Sequence, residues 1–178
     1  MAQQPSLSID KEPNATGRRL TATACCLLAA WLGAAVFFSF AVAPATFGVL
    51  RAAQIAAADE LAGSIVARVL AIINVSGFIV ALLSWAGVWL ARRKFLSLES
   101  ALIALVALTT GAGQWIIDAR LKALRAEAGR PLAELAKSEP VRVAFDQLHG
   151  YSVIVLTIGM FAALLALIVM ARRRNPSF

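Results

Sequence analysis

YSVIVLTIGMFAALLALIVM fills residues 151–170 and runs directly into ARRR at 171–174. These 20 residues carry no charged side chain. As a helix rising about 1.5 Å per residue they extend about 30 Å, the thickness of a bilayer's hydrocarbon core. The arginines that follow stand where cationic side chains meet lipid headgroups. Three further stretches have the same character: Leu20 to Val42, Ile65 to Leu90 and Leu98 to Ile117. Arg18-Arg19 precedes the first, and Arg92-Arg93-Lys94 lies between the second and third. A water-soluble chain of 178 residues cannot surround four such helices. Hydrophobic residues at 60% and a mean hydropathy of +0.77 agree. The sequence therefore predicts an all-α, integral membrane four-helix bundle.

The segments between the runs add detail. Residues 1–17 are polar, with Pro5, Pro13 and Gly17, and read as a disordered tail. Residues 18–172 form the transmembrane domain, with spans at about 20–42, 65–90, 98–117 and 151–170, and residues 173–178 a basic C-terminal tail. Pro44 marks the end of the first helix or a kink in it. The connection from Ala43 to Gly63 has room for a short interfacial helix, and Asp59 and Glu60 suit the start of the second span. The short turn at Arg92-Arg93-Lys94 makes helices two and three antiparallel neighbours. Leu121 and Leu124 continue a helical spacing past the third span until Gly129 and Pro131 stop it. Ser138-Glu139-Pro140 begins a new helix whose apolar stripe is Val141, Phe145 and Leu148. Helices three and four are thus expected to project beyond the bilayer as an extramembrane helical hairpin.

Charge and cysteine content exclude several functions. The net charge of +7 sits at helix ends rather than on one exposed face, which argues against nucleic acid and for the lipid bilayer as partner. Cys25 and Cys26 are adjacent, about 100° apart on a helix, and read as packing residues. The small residues Ala41-Val42-Ala43 resemble a signal cleavage site, but the first run is longer than a signal core and reads as a retained span. With four spans both termini share a side. That side carries nine Lys/Arg and all three clamps, the other side eight Lys/Arg. The expected location is the bacterial inner membrane, multi-pass, with both termini cytoplasmic.

Polar side chains within spans are costly and are functional candidates by default. Arg68, Asn74, Gln114, Asp118, Asp146 and His149 come from three spans yet share a similar depth at the outer end. Two readings stay open for them. One is a polar vestibule admitting a small polar or cationic solute. The other is an interfacial layer of ion pairs, with Arg68 facing Asp118 or Asp146. A lone histidine makes no multi-ligand metal or bis-imidazole haem site. With no Gly-x-Ser-x-Gly, His-Glu-x-x-His or phosphate-loop motif either, neither enzyme activity nor a cofactor is expected. The small-residue pairs Ala29/Gly33, Ala107/Gly111 and Gly159/Ala163 predict close helix approach. Trp31, Trp85, Trp89 and Trp115 are expected mostly towards span ends.

Two segments carry a resemblance. Trp31-Leu32-Gly33, Phe37-Phe38-Ser39-Phe40, Ala43-Pro44 and Phe47 form the first. Leu121, Leu124-Arg125, Phe145, Leu148-His149-Gly150 and Ser152 form the second. Together they resemble the transmembrane protein 205-like family, catalogued in bacteria as domain of unknown function 4149. The resemblance implies a four-helix membrane protein with His149, Gly150 and Ser152 as the family-type motif, Gly150 allowing close packing or a bend. Where the family often has an asparagine a few residues later, this chain has Val155 and Leu156. A eukaryotic relative's association with platinum-drug resistance implies export of a metal complex or a trafficking role. Two functions are therefore carried forward. The leading one is an accessory membrane protein whose hairpin contacts a second copy or a membrane partner. The alternative is a small solute or metal-complex transporter.

Overall fold

The computed structural model describes residues 15–55, 57–92 and 97–174. Within them the chain forms α1 (Ala15–Phe37), a π-helical stretch (Phe38–Val42), α2 (Ala43–Ala52) and α3 (Ala58–Arg92). Then follow α4 (Leu98–Gly111), a second π-helical stretch (Ala112–Asp118), α5 (Ala119–Ala128), a 3-10 turn (Leu132–Glu134) and α6 (Pro140–Arg174). The described residues contain no strand. The expected features before residue 15, at 93–96 (with Arg93 and Lys94) and beyond 174 lie outside the described residues.

Four continuous helical rods result: Ala15–Ala52, Ala58–Ala91, Leu98–Ala128 and Pro140–Arg173, each long and apolar enough to cross a membrane. They pack in a ring in which α1 meets α3, α3 meets α4, α4 meets α6 and α6 returns to α1. The surface confirms the solvent. Phe40 is 78% exposed, Leu108 70% and Ile116 68%, whereas alanines at 24, 35, 81, 162, 163 and 166 are buried. Large aliphatic side chains outside and small ones inside suit lipid, where helices associate by close backbone packing rather than by escaping water. This is a multi-pass membrane protein.

The first rod departs from expectation. Pro44 neither ends nor breaks the helix, which continues to Ala52. Proline supplies no N–H and crowds the preceding turn. The chain responds by widening: the Ala43 N–H donates to the Phe38 carbonyl, five residues back. Ser39 Oγ donates to Ala35 O and Thr46 Oγ1 to Val42 O, both at 2.8 Å. These hydroxyls add donors to carbonyls on either side of the wide turn, in a setting where no water is present to supply them. The expected separate interfacial helix is therefore the end of the first rod, and the turn to α3 is short.

Trp31 corrects the tryptophan expectation. It is 4% exposed and lies at the centre of the bundle, where its indole Nε1 donates to the Ile73 carbonyl at 2.9 Å. A methyl group at Gly77 would stand 2.5 Å from that nitrogen and 2.8 Å from Thr110 Cγ2. One at Gly159 would stand 2.6 Å from Thr109 Oγ1 and 3.9 Å from Trp31 Cη2. The two glycines provide the space in which α1, α3, α4 and α6 close around one indole. Gly159 and Ala163 are both buried, as their spacing predicted. Ala29 and Gly33 are not a contact surface, since both are exposed and nothing lies within 4 Å of a Cβ at Gly33.

The two rod ends differ. Towards the chain termini, Glu99 in the first turn of α4 is fully buried and accepts from Arg173 Nη1 at 3.1 Å. At the opposite end, Gly129 closes α5 with φ +62° and Pro140 opens α6. The helical hairpin is present there: α5 and α6 pack together, and Arg130 pairs with Glu139 at 2.9 Å across its linker.

Candidate functional site

Three helix faces converge beneath that hairpin. On α3 the face runs through Glu60, Gly63, Ala67 and Leu70, spaced three or four apart. From the second π-helical stretch into α5 it runs through Asp118, Leu121, Lys122 and Arg125. On α6 it runs through Arg142, Phe145, His149 and Ser152. Three- and four-residue spacings place each set on one side of its helix. Phe47 and Arg51 of α2 and Leu132, Leu135 and Lys137 of the linker complete the walls of a chamber of about 430 Å³. That volume lies within the range of roughly 300–1,000 Å³ usual for small-molecule sites.

The chamber is amphipathic. Leu70, Leu121, Leu132, Leu135, Phe47 and Phe145 give it apolar walls, while five Arg/Lys and three Asp/Glu side chains line it. Most of these charges are matched. Arg51 Nε meets Asp59 at 2.6 Å, Lys122 Nζ meets Asp118 at 2.7 Å, and Arg142 Nε meets Asp146 at 3.0 Å. Arg142 also donates to the Leu132 carbonyl at 2.6 Å, pinning the linker to α6.

Arg125 differs. Its guanidinium lies 5.2 Å from the centroid of the Phe145 ring and against Gly63, where a Cβ would stand 3.3 Å from Nη2. Its Nε is buried without a hydrogen-bond partner, and it has no ion pair among the described residues. Deeper in the chamber Ser152 is 7% exposed and likewise lacks a side-chain partner among the described residues. Buried polar groups in proteins are nearly always hydrogen-bonded, so two under-partnered residues in the wall of one cavity mark it chemically.

The six polar positions singled out from sequence divide. Asp118 and His149 line the chamber, and Gln114 supports it by donating from Nε2 to Asp118 Oδ2 at 3.3 Å. Asn74 lies one turn below Leu70 and is 4% exposed, with its amide against Gly113, where a Cβ would stand 3.1 Å away. Arg68 is exposed and outside the lining, and Asp146 points to Arg142 at its rim. The expected pairing of Arg68 with Asp118 or Asp146 is not formed. Each acid takes a base four residues away on its own helix, a shorter reach than any across the bundle.

The motif residues divide as well. His149 is exposed on the chamber side with its ring parallel to Phe145, centroids 6.4 Å apart, and Ser152 is buried there. Gly150 is exposed, α6 passes it without a break, and nothing lies within 4 Å of a Cβ placed on it. Close packing at Gly150 is therefore not its role. Sequence reasoning missed Arg125, Lys137 and Arg142 as chamber residues. The periodicity of 118, 121, 122 and 125 carried the signal for Arg125, but the opposing faces that make it a wall belong to other helices.

Similarity to known proteins adds one finding. The model for domain of unknown function 4149 matches residues 26–130, more than half of the chain. The chain belongs to that family. The match takes in Trp31, both π-helical stretches and Arg125, and stops short of the Leu148–Ser152 segment of α6. No curated protein and no solved structure matches the chain. The family carries no assigned activity, so the chamber's chemistry must supply the functional reading.

Proposed function

We propose that this protein is an accessory membrane protein that holds a ligand in the chamber beneath its hairpin, without passing it through the bilayer. One observation carries the reading: the chamber's lining reaches the exposed Arg51 and Lys137 at the hairpin end, while the next layer of the bundle is packed shut. One to two turns beyond Leu70 along α3, Trp31, Ile73, Val106 and Thr110 are all buried. The Trp31 indole spans the gap to the Ile73 carbonyl there. A solute in the chamber meets an apolar plug rather than a path.

The runner-up is transport, favoured by Asp118 and His149 sharing one cavity. It requires the Trp31 layer to open. A contact of the hairpin with a second copy or a membrane partner fits the leading reading, since ligand and partner would meet on the same element. The inner membrane with cytoplasmic termini is the matching orientation, placing the chamber on the outer side.

Thiol accessibility separates the two. Ser152→Cys in a Cys25→Ala/Cys26→Ala background is reconstituted in phosphatidylcholine vesicles and treated with a small, membrane-impermeant thiol reagent from either side. A holding chamber gives labelling from the hairpin side only. Labelling from both sides would establish alternating access and overturn the proposal; labelling from neither would remove the chamber.

A further inference from the structure

We infer that the chamber's ligand is a bilayer lipid with an anionic phosphate headgroup, its phosphate held by Arg125 and its acyl chains against the apolar wall. The inference rests on the ligand-holding reading above and adds the ligand's chemistry. Three observations point the same way.

First, the charge in the chamber is unbalanced in one direction. Five basic and three acidic side chains line it, and Asp59 and Asp118 are each taken by a base. Among the described residues Arg125 and Lys137 are left without an ion pair, against Glu60 alone. The surplus favours an anion over the cationic solute considered from sequence. Second, Arg125 is prepared rather than merely unpaired. Packing on the Phe145 ring and against the bare backbone of Gly63 holds the guanidinium at the chamber wall, with Nε enclosed behind it. A planar fork held in this way suits two phosphate oxygens, and an aromatic support keeps it from folding away. The half-buried site strengthens such a contact relative to open water.

Third, the walls suit a chain rather than a free ion. Leu70, Leu121, Leu132 and Leu135 give the lining a large apolar surface beside Arg125, and Ser152 adds one hydroxyl to the same wall. A soluble phosphate would leave this apolar surface wet. Leu70 and Gly113 lie within the apolar runs at 65–90 and 98–117, whereas the exposed Arg51 and Lys137 lie outside all four runs, so the chamber wall reaches from the polar rim into the apolar stretch of the bundle. Basic pockets between transmembrane helices are a recurrent way to bind anionic headgroups.

The test is native mass spectrometry of the full chain released from mixed phosphatidylcholine/phosphatidylglycerol micelles. Wild type is expected to keep one phosphatidylglycerol and to discriminate against phosphatidylcholine. Arg125→Gln is expected to lose about tenfold or more in retention, the size of a charge-assisted contact. Lys137→Gln, on an exposed side chain whose loss leaves the fold intact, is expected to lose several-fold. Arg120→Gln, on the same helix outside the chamber, is expected to match wild type. Equal retention of the two lipids, or retention unchanged in both chamber variants, overturns the inference. Displacement of the lipid by inorganic phosphate at equal concentration also overturns it, by making a free anion the ligand. One-sided labelling of Ser152→Cys combined with no lipid preference would leave a holding chamber with a different ligand. Labelling from both sides, or from neither, would remove the holding reading itself.

Discussion

Replacing Gly77 with alanine tests whether Trp31 is the keystone of the bundle. The added methyl would lie 2.5 Å from Trp31 Nε1, 2.6 Å from its Cε2 and 2.8 Å from Thr110 Cγ2. Ordinary contact needs about 3.5 Å or more, so the indole must move by about 1 Å. It has little room, because α6 approaches it at Gly159 and the Ile73 carbonyl holds its N–H at 2.9 Å. Overpacking of this kind costs about 1–3 kcal/mol. Stretching the indole hydrogen bond past about 3.5 Å forfeits a further 0.5–1.5 kcal/mol or so. Alanine's better helix propensity returns about 1 kcal/mol. The net expectation is a loss of about 2 kcal/mol in an SDS unfolding titration of the micelle-embedded protein followed by circular dichroism. Trp31→Leu removes Nε1 and Cε2, the atoms that the methyl strikes. In that background Gly77→Ala is expected to be neutral or mildly stabilising, a coupling of at least about 1 kcal/mol in the double-mutant cycle. Equal costs in the two backgrounds would refute the keystone role of Trp31.

Gly150→Ala meets open space and regular helix, so its stability is expected to stay within about 0.5 kcal/mol of wild type or to rise slightly in the same titration. A loss above 1 kcal/mol or so would show a packing role there that the free surface does not reveal. Gly129→Ala forces a side chain into the left-handed region at φ +62° and is expected to cost about 1 kcal/mol, whereas Gly129→Asn is expected to cost less. Amide exchange should quicken in α5 and the linker while α4 keeps its protection. Uniform quickening of all rods would contradict a local cap.

Much of the scaffold was legible in the sequence because its causes are local. A run such as residues 151–170 has the length and composition that hydrocarbon demands of a helix, whatever its neighbours do. Gly129 and Pro140 could be read as a stop and a start because a left-handed cap and a first-turn proline are properties of single residues. Of the two outcomes read at Pro44, the end of the helix did not occur, and the irregularity took the form of a π-turn just before it: at membrane depth a widened turn keeps the backbone groups paired, which an ended helix would not.

The site was only partly legible. Asp118 and His149 were singled out because polarity near a span is conspicuous, Ser152 through the family resemblance, and the three do share a chamber. Arg68 was equally conspicuous and faces elsewhere, since rotation about a helix axis is fixed by packing against partners and not by depth. Arg125 stood in the sequence only as part of the second resemblance segment, and its place in the chamber comes from Gly63 of α3 and Phe145 of α6, which pack against it. The sequence alone thus determined the solvent, the four rods and the hairpin, all set by residue chemistry within a single segment. The tertiary structure alone decided that Trp31 plugs the bundle and that an unpaired arginine lines a cavity. Those facts depend on which faces of separate helices meet, a choice made by close packing around Gly77, Gly159 and Gly63.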